Sequence, residues 1–278
     1  MAICTYCGEN AGFFRRTHKQ CENTSRSGWS EMIQLVANAA TSGNNPPNLV
    51  EELGVIAKRC YIHETRIQSA LLTGWTAAVD EAIDDHFISN EEESRLMQFA
   101  ENYTLSKSEL NSQGAYERLV QGTVIRDITE GIITSKQSIE GNIPFNLQKS
   151  EQLIWVFPNS PYYEYRTRRE RVGRTSGFSI PVVKGVYYHT GGFKSHYVEK
   201  SATEYVDTGL VGITNKHIYF SGSTKSFRIN YNKIVAFEPY ADGIGVMRDA
   251  ASAKPQTFTT GNGWFVYNLV TNLAQSNL

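Results

Sequence analysis

The residues best suited to chemistry in this 278-residue sequence stand near its start. Cys4 and Cys7 have two residues between them, His18 and Cys21 another two, and ten residues separate the pairs. This Cys-x2-Cys-x10-His-x2-Cys spacing places four sulfur and nitrogen donors within fewer than 20 residues. A structural zinc ion takes a closed tetrahedral shell of deprotonated Cys and neutral His, and two-residue gaps let each pair hold one side of it. Glu9 to Thr17 is long enough for a hairpin, with Gly12 to turn it and Phe13-Phe14 to cover the site. A disulfide and a redox dithiol at Cys4 and Cys7 are the competing readings. The histidine in the series tells against the first, and the lack of thioredoxin-like surroundings against the second. So short a head cannot bury a core, so bound Zn2+ is expected to supply most of its folding free energy.

Other reactive residue types give weaker patterns. Cys60 precedes His63 by three residues on an expected helix and reads as a buried thiol. His63-Glu64 lacks the second His of a zinc-protease helix. Ser221 to Ser226 has a Gly-Ser-Thr-Lys run but not the upstream Gly of a phosphate loop. No Gly-x-Ser-x-Gly elbow occurs. His189, His196 and His217 fall in or near expected strands. The acidic run Asp84 to Glu93 lacks the central Gly of a calcium loop, and Glu91 to Glu93 read as the first turn of a helix. These absences point away from an enzyme.

The elements that must position these residues divide the chain by charge and by period. Residues 1–145 hold 12 basic and 19 acidic side chains, a net of −7, while residues 146–278 hold 15 and 9, a net of +6. The overall −1 therefore conceals two oppositely charged halves. Three units are expected: a metal-binding head at 1–27, an all-α domain at 28–140, and a mainly β domain at 146–278 with a C-terminal helix. Leu49 to Ile83 has the steps of one amphipathic helix, broken near Gly74. Ser89 with Glu92, and Ser106 with Glu109, are capping boxes that start two more. Tyr116 to Ile132 carries the last. Strands are expected at 153–157, 162–167, 178–189, 206–214, 217–221, 225–229, 234–238, 244–248 and 257–259, with a closing helix from Trp264 to Leu273. No apolar run approaches the ~20 residues that span a bilayer. The start Met1-Ala2-Ile3-Cys4 is unlike a secretory signal, so a cytoplasmic location is expected, with peripheral membrane contact open.

Three resemblances attach to these segments. The head is similar to small Cys/Cys/His/Cys zinc fingers, some of which bind ubiquitin and others nucleic acid; Arg15, Arg16 and Lys19 give it a basic edge. The stretch from Val79-Asp80-Glu81 through Ile88-Ser89 to Glu92 resembles the helix-turn-helix step of TerB-like tellurite-resistance domains, in which acidic residues have been linked to metal. The run Gly209-Leu210-Val211-Gly212-Ile213-Thr214-Asn215-Lys216-His217-Ile218-Tyr219-Phe220, followed by Phe227 to Gly245, resembles bacterial pleckstrin-homology-like (PH-like) and GRAM-like domains. That likeness implies a β-barrel plugged by the terminal helix. It makes the overall class α+β multidomain: zinc finger, helical domain, PH-like barrel.

The basic surplus centres on Arg166, Arg168, Arg169, Arg171 and Arg174, expected at a strand end and the loop after it, with Lys184 and Lys194 flanking. In the PH family the loop joining the first two strands commonly holds phosphoinositide phosphates, and arginine forks suit phosphate oxygens. A solvated loop, or one docked on protein, is the alternative. The expected function is a non-enzymatic adaptor with a protein partner, and with an anionic lipid or membrane surface for the basic segment. Nucleic-acid binding by the finger and the arginine-rich segment is the alternative.

Overall fold

The computed structural model describes residues 2–12, 15–43, 46–83, 88–133, 143–175, 178–183, 186–190, 193–250 and 253–275; for 167–201 the description covers the backbone alone. Phe13, Phe14, Asp84, Asp85, His86, Phe87 and Lys184 lie outside the described residues. The chain forms two compact units, Met1–Lys136 and Gln137–Leu278.

The first unit opens with a two-stranded hairpin, β1 (Ala2–Ile3) and β2 (Asn10–Gly12). Helix α1 (Lys19–Ser42) follows directly, so the residues on either side of position 27 belong to one continuous helix. Next come α2 (Leu49–Arg59), α3 (Ile67–Ile83), α4 (Asn90–Asn102), α5 (Lys107–Leu110) and α6 (Ala115–Thr129). Both capping boxes are formed, at Ser89/Glu92 and Ser106/Glu109. Glu91, Glu92 and Glu93 occupy the first turn of α4, where they meet the positive end of its dipole.

The expected helix over 49–83 is two helices, and the break is not at Gly74. It falls at Cys60–Arg66, where Tyr61 takes φ 56° and the Ile62 amide donates to the Ala57 carbonyl at 2.8 Å. This is a Schellman-type stop, with tyrosine in the left-handed position that glycine usually fills. Gly74 lies inside α3, and a Cβ there would collide with the Val36 side chain and the Ile33 carbonyl of α1. Its role is close helix approach. Around that contact Met32, Val36, Leu53, Trp75, Leu96 and Phe99 make a buried core, and the Trp75 indole donates to the Leu96 carbonyl at 2.9 Å. Ile132, expected within the last helix, lies beyond its end and is exposed.

The second unit holds β3 (Leu153–Thr175), β4 (Phe178–Val183), β5 (Val186–Thr190), β6 (Phe193–Thr214), β7 (His217–Gly222), β8 (Ser226–Asn230), β9 (Ile234–Tyr240), β10 (Gly243–Arg248), β11 (Gln256–Thr259) and α7 (Gly263–Gln275). Seven strands form one curled antiparallel sheet in the order β8-β7-β6-β3-β11-β10-β9, and β4 with β5 make a separate hairpin. The expected strands at 153–157 and 162–167 are one long strand with irregularities, one of them between Phe157 and Ser160, where Asn159 takes φ 51°. The expected strand at 178–189 is the β4–β5 hairpin. Tyr162, Phe220 and Phe258 fill the sheet's concave core, and Trp155 and Phe157 meet Phe265 of α7 with ring centroids 4.8 and 5.9 Å apart.

Candidate metal centre

The β1–β2 hairpin and the start of α1 bring the four expected ligands together. Cys4 and Cys7 flank the hairpin's tight turn. There the Gly8 amide returns to the Cys4 carbonyl at 3.0 Å, and Gly8 takes φ 75°, which glycine adopts without strain. His18 is the N-cap of α1, and Cys21 sits three positions inside its first turn. An N-cap residue normally folds a side-chain oxygen onto the helix. His18 makes no such cap because its ring is turned to the sulfurs.

The donor atoms of Cys4, Cys7, His18 and Cys21 all lie within 4.8 Å of one another. His18 Nδ1 is 3.3 Å from Cys7 Sγ and 3.7 Å from Cys21 Sγ. A tetrahedron built on ordinary zinc–sulfur and zinc–nitrogen bonds has edges of about 3.5–3.8 Å; the two His18–sulfur distances are close to these, and the group is compatible with a metal site. His18 Nε2 lies 3.0 Å from the Asn10 carbonyl. A carbonyl only accepts, so Nε2 carries the proton and Nδ1 presents its bare lone pair to the thiols. Orienting a ligating imidazole by a backbone carbonyl is the usual outer-shell device of metal sites.

The thiols themselves are in electrostatic conflict. Burial pushes the Cys4 thiol up, but the amides of Cys7, His18 and Tyr6 and the Cys7 thiol outweigh it and bring its pKa to about 6. The His18 amide is 3.4 Å from Cys4 Sγ. Cys21 is raised to about 11, by burial first and then by the Cys7 side chain and the charges of Cys7 and Cys4. Ionising all three sulfurs this close together is unfavourable without a cation among them, and a divalent metal would resolve the conflict.

The head rests on the helical unit. Tyr6 meets Tyr61 at 6.4 Å between ring centroids, and nearby Cys21 is the first cause of the raised Tyr61 hydroxyl pKa. Cys60 is buried beside Gly28 of α1, where any Cβ would strike its side chain. The buried-thiol reading of Cys60 therefore holds. His63 turns to Thr65 instead, with Nδ1 2.8 Å from its hydroxyl.

The arginine cluster is placed differently from expectation. Arg166, Arg168, Arg169, Arg171 and Arg174 all lie within β3, with no loop among them, because β6 supplies ladder partners as far as Thr175. Arg168 stands opposite Lys200, Arg169 opposite Glu199, and Arg174 opposite Lys194. Arg166 pairs with Glu164 at 3.2 Å.

Two polar clusters escaped the sequence reading. Buried Glu151 gathers Thr214 Oγ1 at 2.6 Å, His217 Nδ1 at 2.8 Å, Tyr219 hydroxyl at 2.8 Å and the Gln148 amide at 2.8 Å. Burial alone would raise its carboxyl; Thr214, Gln148, Tyr219 and His217 together lower it to about 2. Asn230 Nδ2 lies 3.2 Å from His217 Nε2, so the imidazole is held on both sides. Asp207 accepts from the Thr224 amide and hydroxyl at 2.7 and 2.8 Å, the Lys225 amide at 3.0 Å and the Ser223 hydroxyl at 3.0 Å. Led by the Thr224 amide, these bonds hold its carboxyl well below the usual range. The Ser221–Ser226 loop thus does cradle an anion, and the anion is the chain's own. Apart from the Gln148 amide, these contacts join residues 13 to 68 positions apart and leave no local signal, though the Thr214-Asn215-Lys216-His217 motif marked one end of the first cluster.

Compared with family models and with curated proteins, the sequence matches none.

Proposed function

We propose that this chain is a non-enzymatic binding protein. In this reading its head holds a structural zinc ion, and its β unit is a PH-like domain that contacts a protein or an anionic surface. The observation that carries the metal is the convergence of four donors within 4.8 Å, with His18 Nε2–H donating to the Asn10 carbonyl. Cys4, Cys7 and Cys21 would supply thiolates and His18 the imidazole. Bound there, zinc would fix fold and charge; with four protein ligands it keeps no open position for catalysis. Metal analysis should return one zinc per chain, and Cys7→Ser should abolish it. A folded chain without stoichiometric metal would defeat the assignment.

The PH-like reading draws support from the seven-stranded antiparallel sheet, from α7 packed on its aromatic core through Phe265, and from the Thr214–His217 turn. The non-enzymatic reading draws support from saturation of the buried groups. Glu151, His217 and Asp207 are engaged by neighbours, and Asn230, not His217, lines the adjacent 250 Å³ cavity. For the anionic surface the support is the basic stretch of β3, where Lys200 and Lys194 stand at the cross-strand positions of Arg168 and Arg174. Flotation with phosphatidylserine vesicles tests it. Changing Arg168, Arg169 and Arg171 together to Gln should abolish binding, and unchanged flotation would remove lipid from the reading. Salt-dependent binding to nucleic acid without vesicle binding would favour nucleic acid instead.

A further inference from the structure

A shallow groove of about 480 Å³ runs between α1 and α2, lined by Glu31, Leu35, Asn48, Glu51, Glu52, Val55 and Ile56. Leu35, Val55 and Ile56 give it an apolar strip among polar neighbours. Leu35 is half-buried and Ile56 buried, yet Val55 is 65% exposed. Valine is a mediocre helix former, and an exposed one at the middle of an 11-residue helix gains nothing from packing within the unit. A single exposed valine would need no explanation. Here it continues an apolar strip of Leu35 and Ile56 along a concave surface of ligand-pocket size.

The charge around that strip is one-sided. Of the three lining carboxylates, Glu31 is held by the Arg59 guanidinium through two bonds of 2.7 and 2.8 Å. Lys58, the other cation of α2, lies 3.4 Å from Glu64. Both basic side chains of α2 are thereby engaged, and among the described residues Glu51 and Glu52 have no ion-pair partner. Their place in the first turn of α2 suits its dipole, but the dipole does not account for the apolar strip beside them. Apolar strip and acidic rim together define what fits.

We infer that the α1–α2 groove docks a basic amphipathic segment of a partner protein. Apolar side chains of that segment would sit on Leu35, Val55 and Ile56, and Lys or Arg would face Glu51 and Glu52. Such a segment binds by the helix-in-groove mode, in which spaced apolar anchors give affinity and flanking charges give register. The inference rests on reading the chain as a binding protein but not on zinc or on the β unit.

The full chain, titrated with a fluorescein-labelled Leu/Lys amphipathic peptide and with its Leu/Glu counterpart, tests it by anisotropy. Saturable binding of the Leu/Lys peptide is expected, with little response to the Leu/Glu one. Glu51→Lys with Glu52→Lys should weaken the basic peptide at least tenfold and strengthen the acidic one. Val55→Asp should weaken both. All three positions are exposed, so metal content should stay as in the parent chain, and the melting midpoint of the double charge reversal should fall only by the small amount that two lysines in the first turn of α2 cost. Equal binding of the two peptides, or basic-peptide binding that survives the double charge reversal, would overturn the groove assignment. Either result leaves the metal and vesicle measurements standing on their own.

Discussion

At the scale of single residues, what could be read from sequence was what sits close together in it. The four donors that could hold a metal span positions 4 to 21, and a spacing rule sufficed to group them. Their supports were not readable: nothing in the local sequence says that the Asn10 carbonyl would accept from His18 Nε2–H. Glu151 makes the same point more strongly, since its partners Thr214, His217 and Tyr219 lie 63 to 68 residues away. In sequence it is one acidic residue at the edge of a basic domain. In the fold it joins the entry of the β unit to the β6–β7 turn. Replacing Glu151 with Gln removes the charge that these donors share and puts an N–H where one of the two accepting oxygens stood, facing either the Gln148 amide and Tyr219 or Thr214 and His217. A loss of about 2 kcal/mol is expected, measured as the denaturation midpoint of the β unit. A change below about 0.5 kcal/mol would mean that the cluster is not a structural tie.

At the scale of elements, periodicity found most helices and strands but not where they stop. The break between α2 and α3 depends on a left-handed Tyr61, which no sequence rule favours, and the continuity of β3 depends on a partner strand that only the fold provides. Glycine shows why residue type alone misleads. Gly54 in α2 and Gly74 in α3 are both interior helix glycines, and a helix break was read at the second. A Cβ at Gly54 would meet nothing within 4 Å, whereas one at Gly74 would enter the Val36 side chain and the Ile33 carbonyl. Gly54→Ala is therefore expected to stabilise the helical unit by about 0.5–1 kcal/mol. Gly74→Ala should destabilise it by about 1–3 kcal/mol, because α1 and α3 must separate. Equilibrium denaturation of the two variants checks this, and effects of the same sign would refute the close-approach account. A third position tests the helix ends: Thr104, exposed at φ 53° after α4, should gain about 0.5–1 kcal/mol on replacement by Gly.

At the scale of the whole molecule, opposite net charges in the two halves were the first sign of two units. Each unit carries its own acid-sensitive cluster, and the two should respond at different pH. In the head, protons would compete with the proposed metal for the thiolates, so its release is expected as pH falls through the Cys4 value of about 6. In the β unit the sign follows from Glu151, whose folded pKa of about 2 lies below its ordinary 4.5. A carboxyl lowered by folding contributes its full stability above the ordinary value and loses it as pH falls toward the folded one. That contribution, on the order of 3 kcal/mol, stays intact while metal leaves and fades only between about 4.5 and 2. Asp207, also lowered, acts in the same direction. Acid titration of the intact chain should therefore show two steps. A metal-indicator dye reports the first, together with loss of amide protection at the start of α1. Loss of protection in β6 and β7 follows well below it, and Glu151→Gln should move that second step without moving the first. If protection in β7 disappears together with the metal, the two clusters are not independent determinants of acid stability.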